Sequence, residues 1–259
     1  MKIGNKIFEN YTYVMAIINL TPDSFWAASR KSADDVLFAV EKAQSEGAAI
    51  IDLGAQSTRP GYVEVDAEIE IERFAKPLEM IKKRFDIPVS VDTYFSKSAR
   101  VALELKADLI NDVWGLTYDK DMAKTIAEYG ASVCIMHNAK CPLTGDIWGA
   151  ITQFLQNSAS LALNSGIEKE KICLDGGIGF AKNREQNIEL LNGYDRLYTL
   201  GYPLLLGASR KSLFGGLPEN RLEQTVESSR LAARKKVLFV RVHDVYENAE
   251  AIRKVYEQG

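Results

Sequence analysis

The chain has 259 residues, 46% of them hydrophobic and 26% charged, with a formal net charge of -3. That length holds either two small domains or one large α/β domain, and either buries a sizeable core. The mildly acidic balance argues against nucleic acid or an anionic membrane surface as the main partner, while leaving room for basic groups gathered around an anionic ligand.

Residues 1–13 mix Lys, Asn and Glu with single apolar residues, without the apolar core of a signal peptide. Lys2-Ile3 and Ile7-Phe8 around Gly4-Asn5 predict a small hairpin there. Apolar runs then alternate with stretches of helical period. Predicted strand 14–20 leads into helix 33–47, strand 49–54 into helix 66–85, and strand 88–92 into helix 96–106. Strand 108–113 leads into helix 120–130, strand 132–137 into helix 146–166, and strand 171–175 into helix 184–200. Strand 203–209 leads into helix 221–236 and strand 237–242 into helix 244–258. Strands that are apolar throughout belong to a parallel sheet covered on both faces. Gly47, Gly130, Gly166 and Gly201 stop helices before the next strand.

Eight such units predict an α/β protein with a single domain, 1–259, closed as a (β/α)8 TIM barrel. The hairpin in 1–13 would cap its N-terminal end. A doubly wound open sheet is the alternative. No run approaches the roughly 18 apolar residues of a membrane span. The cysteines, Cys134, Cys141 and Cys173, are odd in number and lack CxxC spacing. Free thiols in a reducing cytosol are therefore expected, and with only His137 and His243 present a Cys/His metal centre is not.

In a (β/α)8 barrel the strand C-termini and the loops after them form the site, and polar residues collect at all eight. Strand one ends at Asn19, strand two carries Asp52, strand three ends at Asp92 and strand four at Asn111-Asp112. Strand five ends at His137-Asn138 and strand six at Asp175; strand seven runs into Ser209-Arg-Lys-Ser212 and strand eight into Arg241-Val-His-Asp244. Any one of these could merely cap the next helix; eight together point to a ligand. Asp92, Asn111 and Asp175 suit a heterocycle edge rich in N–H donors. Arg59, Lys211, Arg241 and His243 form a cationic arc suited to phosphate or pyrophosphate.

The motifs carry a family resemblance. Asn19-Leu-Thr-Pro-Asp-Ser-Phe25, Ser57-Thr-Arg-Pro-Gly61, Ser90-Val-Asp-Thr93, Ile110-Asn-Asp112, Met136-His137, Gly177-Ile-Gly-Phe180, Ser209-Arg-Lys-Ser212 and Arg241-Val-His-Asp244 resemble, in order and spacing, those of dihydropteroate synthases. The resemblance spans about 14–245. It implies a transferase that condenses 6-hydroxymethyl-7,8-dihydropterin diphosphate with p-aminobenzoate, a bound Mg²⁺, and a cytoplasmic homodimer. By the same resemblance, Asp92, Asn111, Asp175 and Lys211 would hold the pterin. Asn19, Arg241 and His243 would hold the diphosphate, with Asn19 also meeting Mg²⁺. Thr58, Arg59, Pro60, Phe180 and Ser212 would frame the p-aminobenzoate. Arg59, Lys211, Arg241 and His243 would be catalytic.

The chain also departs from the family pattern. Trp26-Ala-Ala-Ser29 stands where Ser-Asp-Gly-Gly is usual, Asp175-Gly-Gly177 where Asp-Pro-Gly is usual, Gln56 for a common Glu, and Asn138 for a common Met. Two other readings remain open at this point: a methyltetrahydrofolate:corrinoid methyltransferase, which has no need of a diphosphate arc, and a pterin-binding paralogue without turnover.

Overall fold

The computed structural model describes residues 1–20, 33–56 and 65–258. The hairpin is antiparallel, pairing β1 (Lys2–Ile3) with β2 (Lys6–Ile7) in the register Lys2 to Ile7. The parallel strands are β3 (Tyr13–Asn19), β4 (Ala48–Gly54), β5 (Val89–Asp92), β6 (Leu109–Asp112), β7 (Ser132–Met136), β8 (Ile172–Asp175), β9 (Leu204–Leu206) and β10 (Phe239–Val242). They close in that order, with β10 beside β3 through Val240 against Val14. Closure excludes the open-sheet alternative.

Each strand returns through a helix: α1 (Ala33–Ser45), α2 (Ala67–Arg84), α3 (Ser96–Glu104), α4 (Met122–Glu128), α5 (Ile147–Asn164), α6 (Arg184–Asn192), α7 (Leu222–Arg234) and α8 (Val245–Gln258). None of these is long and apolar enough to cross a membrane. Local chemistry sets their starts. Asp66 takes the Ile69 N–H ahead of α2, and Asn183 with Gln186 forms a capping box ahead of α6.

One helix is shorter than its pattern. The period predicts a single helix over 184–200, but α6 stops at Asn192 and the chain continues as a 3₁₀ turn, Tyr194–Leu200. The break falls at Gly193, where a Cβ would lie 2.7 Å from the Trp148 ring. Only glycine lets the indole approach so closely.

Side chains alternate along a strand, and the barrel interior changes character from one inward position to the next. Its floor is apolar: Met15, Ile50, Leu109, Cys134, Cys173, Leu205 and Phe239 pack with Ile3 and Phe8 from the hairpin region. Phe8 meets Tyr13 and Phe239 edge-on, at 5.0 and 5.3 Å. Cys134 and Cys173 are register partners on β7 and β8. Each such side chain removed from water contributes about 1.5–3 kcal/mol. Two residues further along the strands the inward positions are Asp52, Asn111, Met136, Asp175 and Arg241. The opposite faces of the strands, such as Val14, Ile51, Val91 and Ile110, pack in the core shared with the helices.

Candidate active site

The polar layer is organised by Arg241. From β10 its Nε donates to Asp52 Oδ2 at 2.6 Å and its Nη2 to Asp92 Oδ2 at 2.7 Å. The charge does not balance within this group: one guanidinium faces two carboxylates, with Asp52 fully buried and Asp92 9% exposed. Burial pushes the Asp92 carboxyl up to about 7; Arg241 pulls it back, while Asp52, Glu70 and Asp112 push it up further. Arg241 itself is held above its ordinary value by the two aspartates, against the opposing effect of burial. Arg241 therefore does not pair with Asp244. That acid is taken by Arg210, whose Nε and Nη2 reach its two oxygens at 3.0 and 2.5 Å.

Asn111 and Asp112 are neighbours with different duties. Asp112 turns its oxygens onto the backbone N–H groups of Trp114 and Leu116, both at 2.8 Å, and so shapes the loop after β6. Burial, partly opposed by those bonds, raises its carboxyl to about 6. Asn111 is 4% exposed. Among the described residues its amide has no hydrogen-bond partner, which leaves donor and acceptor for a ligand.

On the other side of the mouth, Asp175 Oδ1 accepts the Gly177 N–H at 2.7 Å and meets the Tyr194 hydroxyl at 2.8 Å. Its Oδ2 lies beside Gly207, where a Cβ would stand 3.4 Å away. The turn after β8 is tight. Gly177 has φ +70°, and a Cβ there would sit 1.9 Å from the His137 carbonyl oxygen. Two lysines clamp this turn. Lys182 Nζ donates to Gly177 O at 2.9 Å and Phe180 O at 3.0 Å, and meets His137 Nδ1 at 2.9 Å. Lys211 Nζ donates to Ile178 O and lies 4.5 Å from the centre of the Phe180 ring. Burial lowers Lys182 to about 7 and Lys211 to about 8, with Asp175 pulling both back up. His137 is lowered to about 3 by burial and by the Lys182 charge, so it is neutral at physiological pH.

The remaining expected residues fall around the same rim. His243 meets Ser209 Oγ through Nδ1 at 3.0 Å. Ser212 opens a short 3₁₀ turn and is exposed, and Phe180 is half-buried. Asn19 ends β3 opposite Gly54, and a Cβ at 54 would approach its Oδ1 to 3.4 Å. Thr58, Arg59, Pro60 and the 21–32 segment lie outside the described residues. The sequence pattern assigns no role to Asp52, Lys182 or Tyr194. Asp52 sits two residues before its strand ends, and Lys182 has only its place after a glycine-rich turn. Tyr194 is hidden inside what reads as a continuous helix.

Comparison with known proteins gives a consistent picture. The family described as pterin binding enzymes matches residues 15–243. A dihydropteroate synthase of Clostridium beijerinckii is 46% identical over 98% of this chain and 97% of its own length. One from Streptococcus pyogenes is 42% identical, covering 97% of each. Among solved structures, a Clostridium difficile dihydropteroate synthase crystallised in the presence of pteroic acid superposes with a TM-score of 0.94 at 44% identity, covering 97% of this chain and 98% of that one. A Xanthomonas albilineans dihydropteroate synthase with 4-aminobenzoic acid superposes at 0.90 with 32% identity, covering 96% and 93%.

Proposed function

We propose a division of labour at the barrel mouth for this chain, which belongs to the dihydropteroate synthases within the pterin-binding enzyme family. The reaction joins 6-hydroxymethyl-7,8-dihydropterin diphosphate to p-aminobenzoate, giving 7,8-dihydropteroate and pyrophosphate. The observation that carries the proposal is the meeting, on one rim, of polar groups for a heterocycle (Asp92, Asn111, Asp175, Lys211) with donors for a leaving anion (Arg241, His243).

In this reading Asp92, Asn111, Asp175 and Lys211 hold the pterin ring. Arg241 and His243 meet the diphosphate, and Arg241 keeps Nη1 for it beyond the two bonds to Asp52 and Asp92. Phe180 and Ser212, with Thr58, Arg59 and Pro60, frame the p-aminobenzoate. The bond from the methylene carbon to the diphosphate oxygen breaks with its electron pair leaving on oxygen. The aniline nitrogen then bonds to that carbon and releases a proton. Asp92 and Asp175 favour the positive charge that develops on the pterin, acting through their field and not as nucleophiles. Arg241 and His243 balance the charge that accumulates on the leaving group.

The described residues contain no group of three His, Cys, Asp or Glu side chains able to cage a metal. A single amide oxygen, Asn19 Oδ1, kept open by Gly54, does fit Mg²⁺, which commonly takes one or two protein oxygens and fills its shell from phosphate and water. Mg²⁺ bound there would supply charge neutralisation on the diphosphate. The reading also takes the enzyme to be a cytoplasmic homodimer with small-molecule substrates and no nucleic-acid or membrane partner. The free thiols support the cytoplasmic reading, and the modest net charge supports the lack of a nucleic-acid or anionic-membrane partner.

The test is pyrophosphate release with both substrates and Mg²⁺. Release that depends on p-aminobenzoate is expected. Tight pterin binding without release would identify a non-catalytic paralogue instead.

A further inference from the structure

Tyr194 is 1% exposed, and its hydroxyl is held in place by three groups. The Gly176 N–H donates to it at 2.9 Å; it faces Asp175 Oδ1 at 2.8 Å and the Leu205 carbonyl oxygen at 2.5 Å. The phenol thus ties the carboxylate at the end of β8 to the turn that follows and to the backbone of the neighbouring strand, β9. A buried hydroxyl with no binding duty needs one partner; this one bridges two separate pieces of chain, residues 175–176 and Leu205 on β9, and one of its three contacts is a carboxylate at the site.

We propose that Tyr194 is a positioning residue for Asp175: with the Gly177 N–H it occupies Oδ1 and thereby presents Oδ2, beside Gly207, to the N–H donors of the pterin. This rests on the reading that Asp175 contacts the pterin. The physical basis is pre-organisation. A carboxylate free to rotate about its terminal bond must be ordered when the ligand arrives, whereas one already fixed at one oxygen loses less on binding. Burial, and secondarily the Asp175 charge, keep the phenol well above its usual range, so across working pH it keeps its one proton, shared between Asp175 Oδ1 and the Leu205 carbonyl oxygen.

Two features of the fold make this geometry specific to these residues. The end of α6 at Gly193 starts the 3₁₀ turn that carries Tyr194. At position 176, glycine supplies an N–H to the phenol that a proline could not donate.

Tyr194→Phe keeps the ring and removes the hydroxyl. The experiment compares it with Asp175→Asn by calorimetric titration with 6-hydroxymethylpterin and by the KM for each substrate. The expected result for Y194F is binding weakened about three- to tenfold, the ordering cost of one side chain that the fixed oxygen avoids. The KM for p-aminobenzoate should stay within about twofold. D175N should weaken binding by more than Y194F. Unchanged affinity in Y194F, beside a weakened D175N, would overturn the role of Tyr194 alone. An unaffected D175N would overturn the pterin assignment and this inference with it. If Y194F loses its fold, Gly176→Pro, which removes the N–H that holds the phenol and leaves the ring in place, makes the comparison instead.

Discussion

Asp92, Asn111 and Asp175 are legible in the sequence as polar strand ends, because an apolar run that stops on a carboxylate or amide is a local signal. The partners of Arg241 are not, since Asp52 and Asp92 lie 189 and 149 residues away along the chain. Only closure of β10 onto β3 brings them together. Removing the guanidinium leaves two buried carboxylates facing each other, so Arg241→Ala should lose about 3–5 kcal/mol of stability in urea denaturation. Stability near that of the unsubstituted chain would mean that the ion pairs are weak or rearranged. The pH dependence has a definite sign. Asp92 is raised from an unfolded value near 3.9 to about 7, so its contribution to stability is full below about pH 4 and is lost as pH rises to about 7. The excess stability of the unsubstituted chain over Asp92→Asn should therefore decline across that window, and in an R241A background the decline should extend to higher pH. A difference that grows with pH would show that Arg241 holds Asp92 below its ordinary value.

At the scale of elements, apolar runs place most strands to within a residue or two. β9 is shorter than its run, Leu204–Leu206 against 203–209, because Gly207 to Ser209 already belong to the loop of the site. The division of 184–200 into α6 and a 3₁₀ turn escapes a periodicity argument, since the break falls where Trp148, from α5, closes on Gly193. The turn after β8 is the element most exposed to substitution. Gly177→Ala puts a Cβ into the His137 carbonyl at a left-handed φ, and should cost at least about 2 kcal/mol. It should also raise the KM for p-aminobenzoate, because Phe180 rides on the displaced turn. Gly176→Ala meets only the ends of Leu190, Leu197 and Tyr194 side chains at 3.1–3.2 Å and should be milder. Equal effects from the two substitutions, in denaturation and in KM, would show that the turn is not the rigid frame that the lysine clamps imply.

For the whole molecule, the eightfold alternation of strand and helix is enough to anticipate a closed barrel. What stays out of reach is the vertical order inside it, an apolar floor beneath a charged layer, because that depends on which residue of each strand turns inward at which height. The floor holds a pair of thiols, Cys134 and Cys173, both fully buried, while Cys141 is exposed. A mutual hydrogen bond and burial keep the Cys134 thiol well above its usual range, so it resists deprotonation as well as contact with solvent. The chain consequently carries its own chemical clock. An alkylating reagent should modify Cys141 at once and the other two only when the barrel opens, in a 1:2 stoichiometry measurable by mass spectrometry; rapid modification of all three would mean that the floor breathes without global opening. Because a ligand that binds only the closed barrel slows opening-limited chemistry in proportion to its saturation, the slow phase would report affinity for either substrate from the floor beneath the site, in variants that turn nothing over.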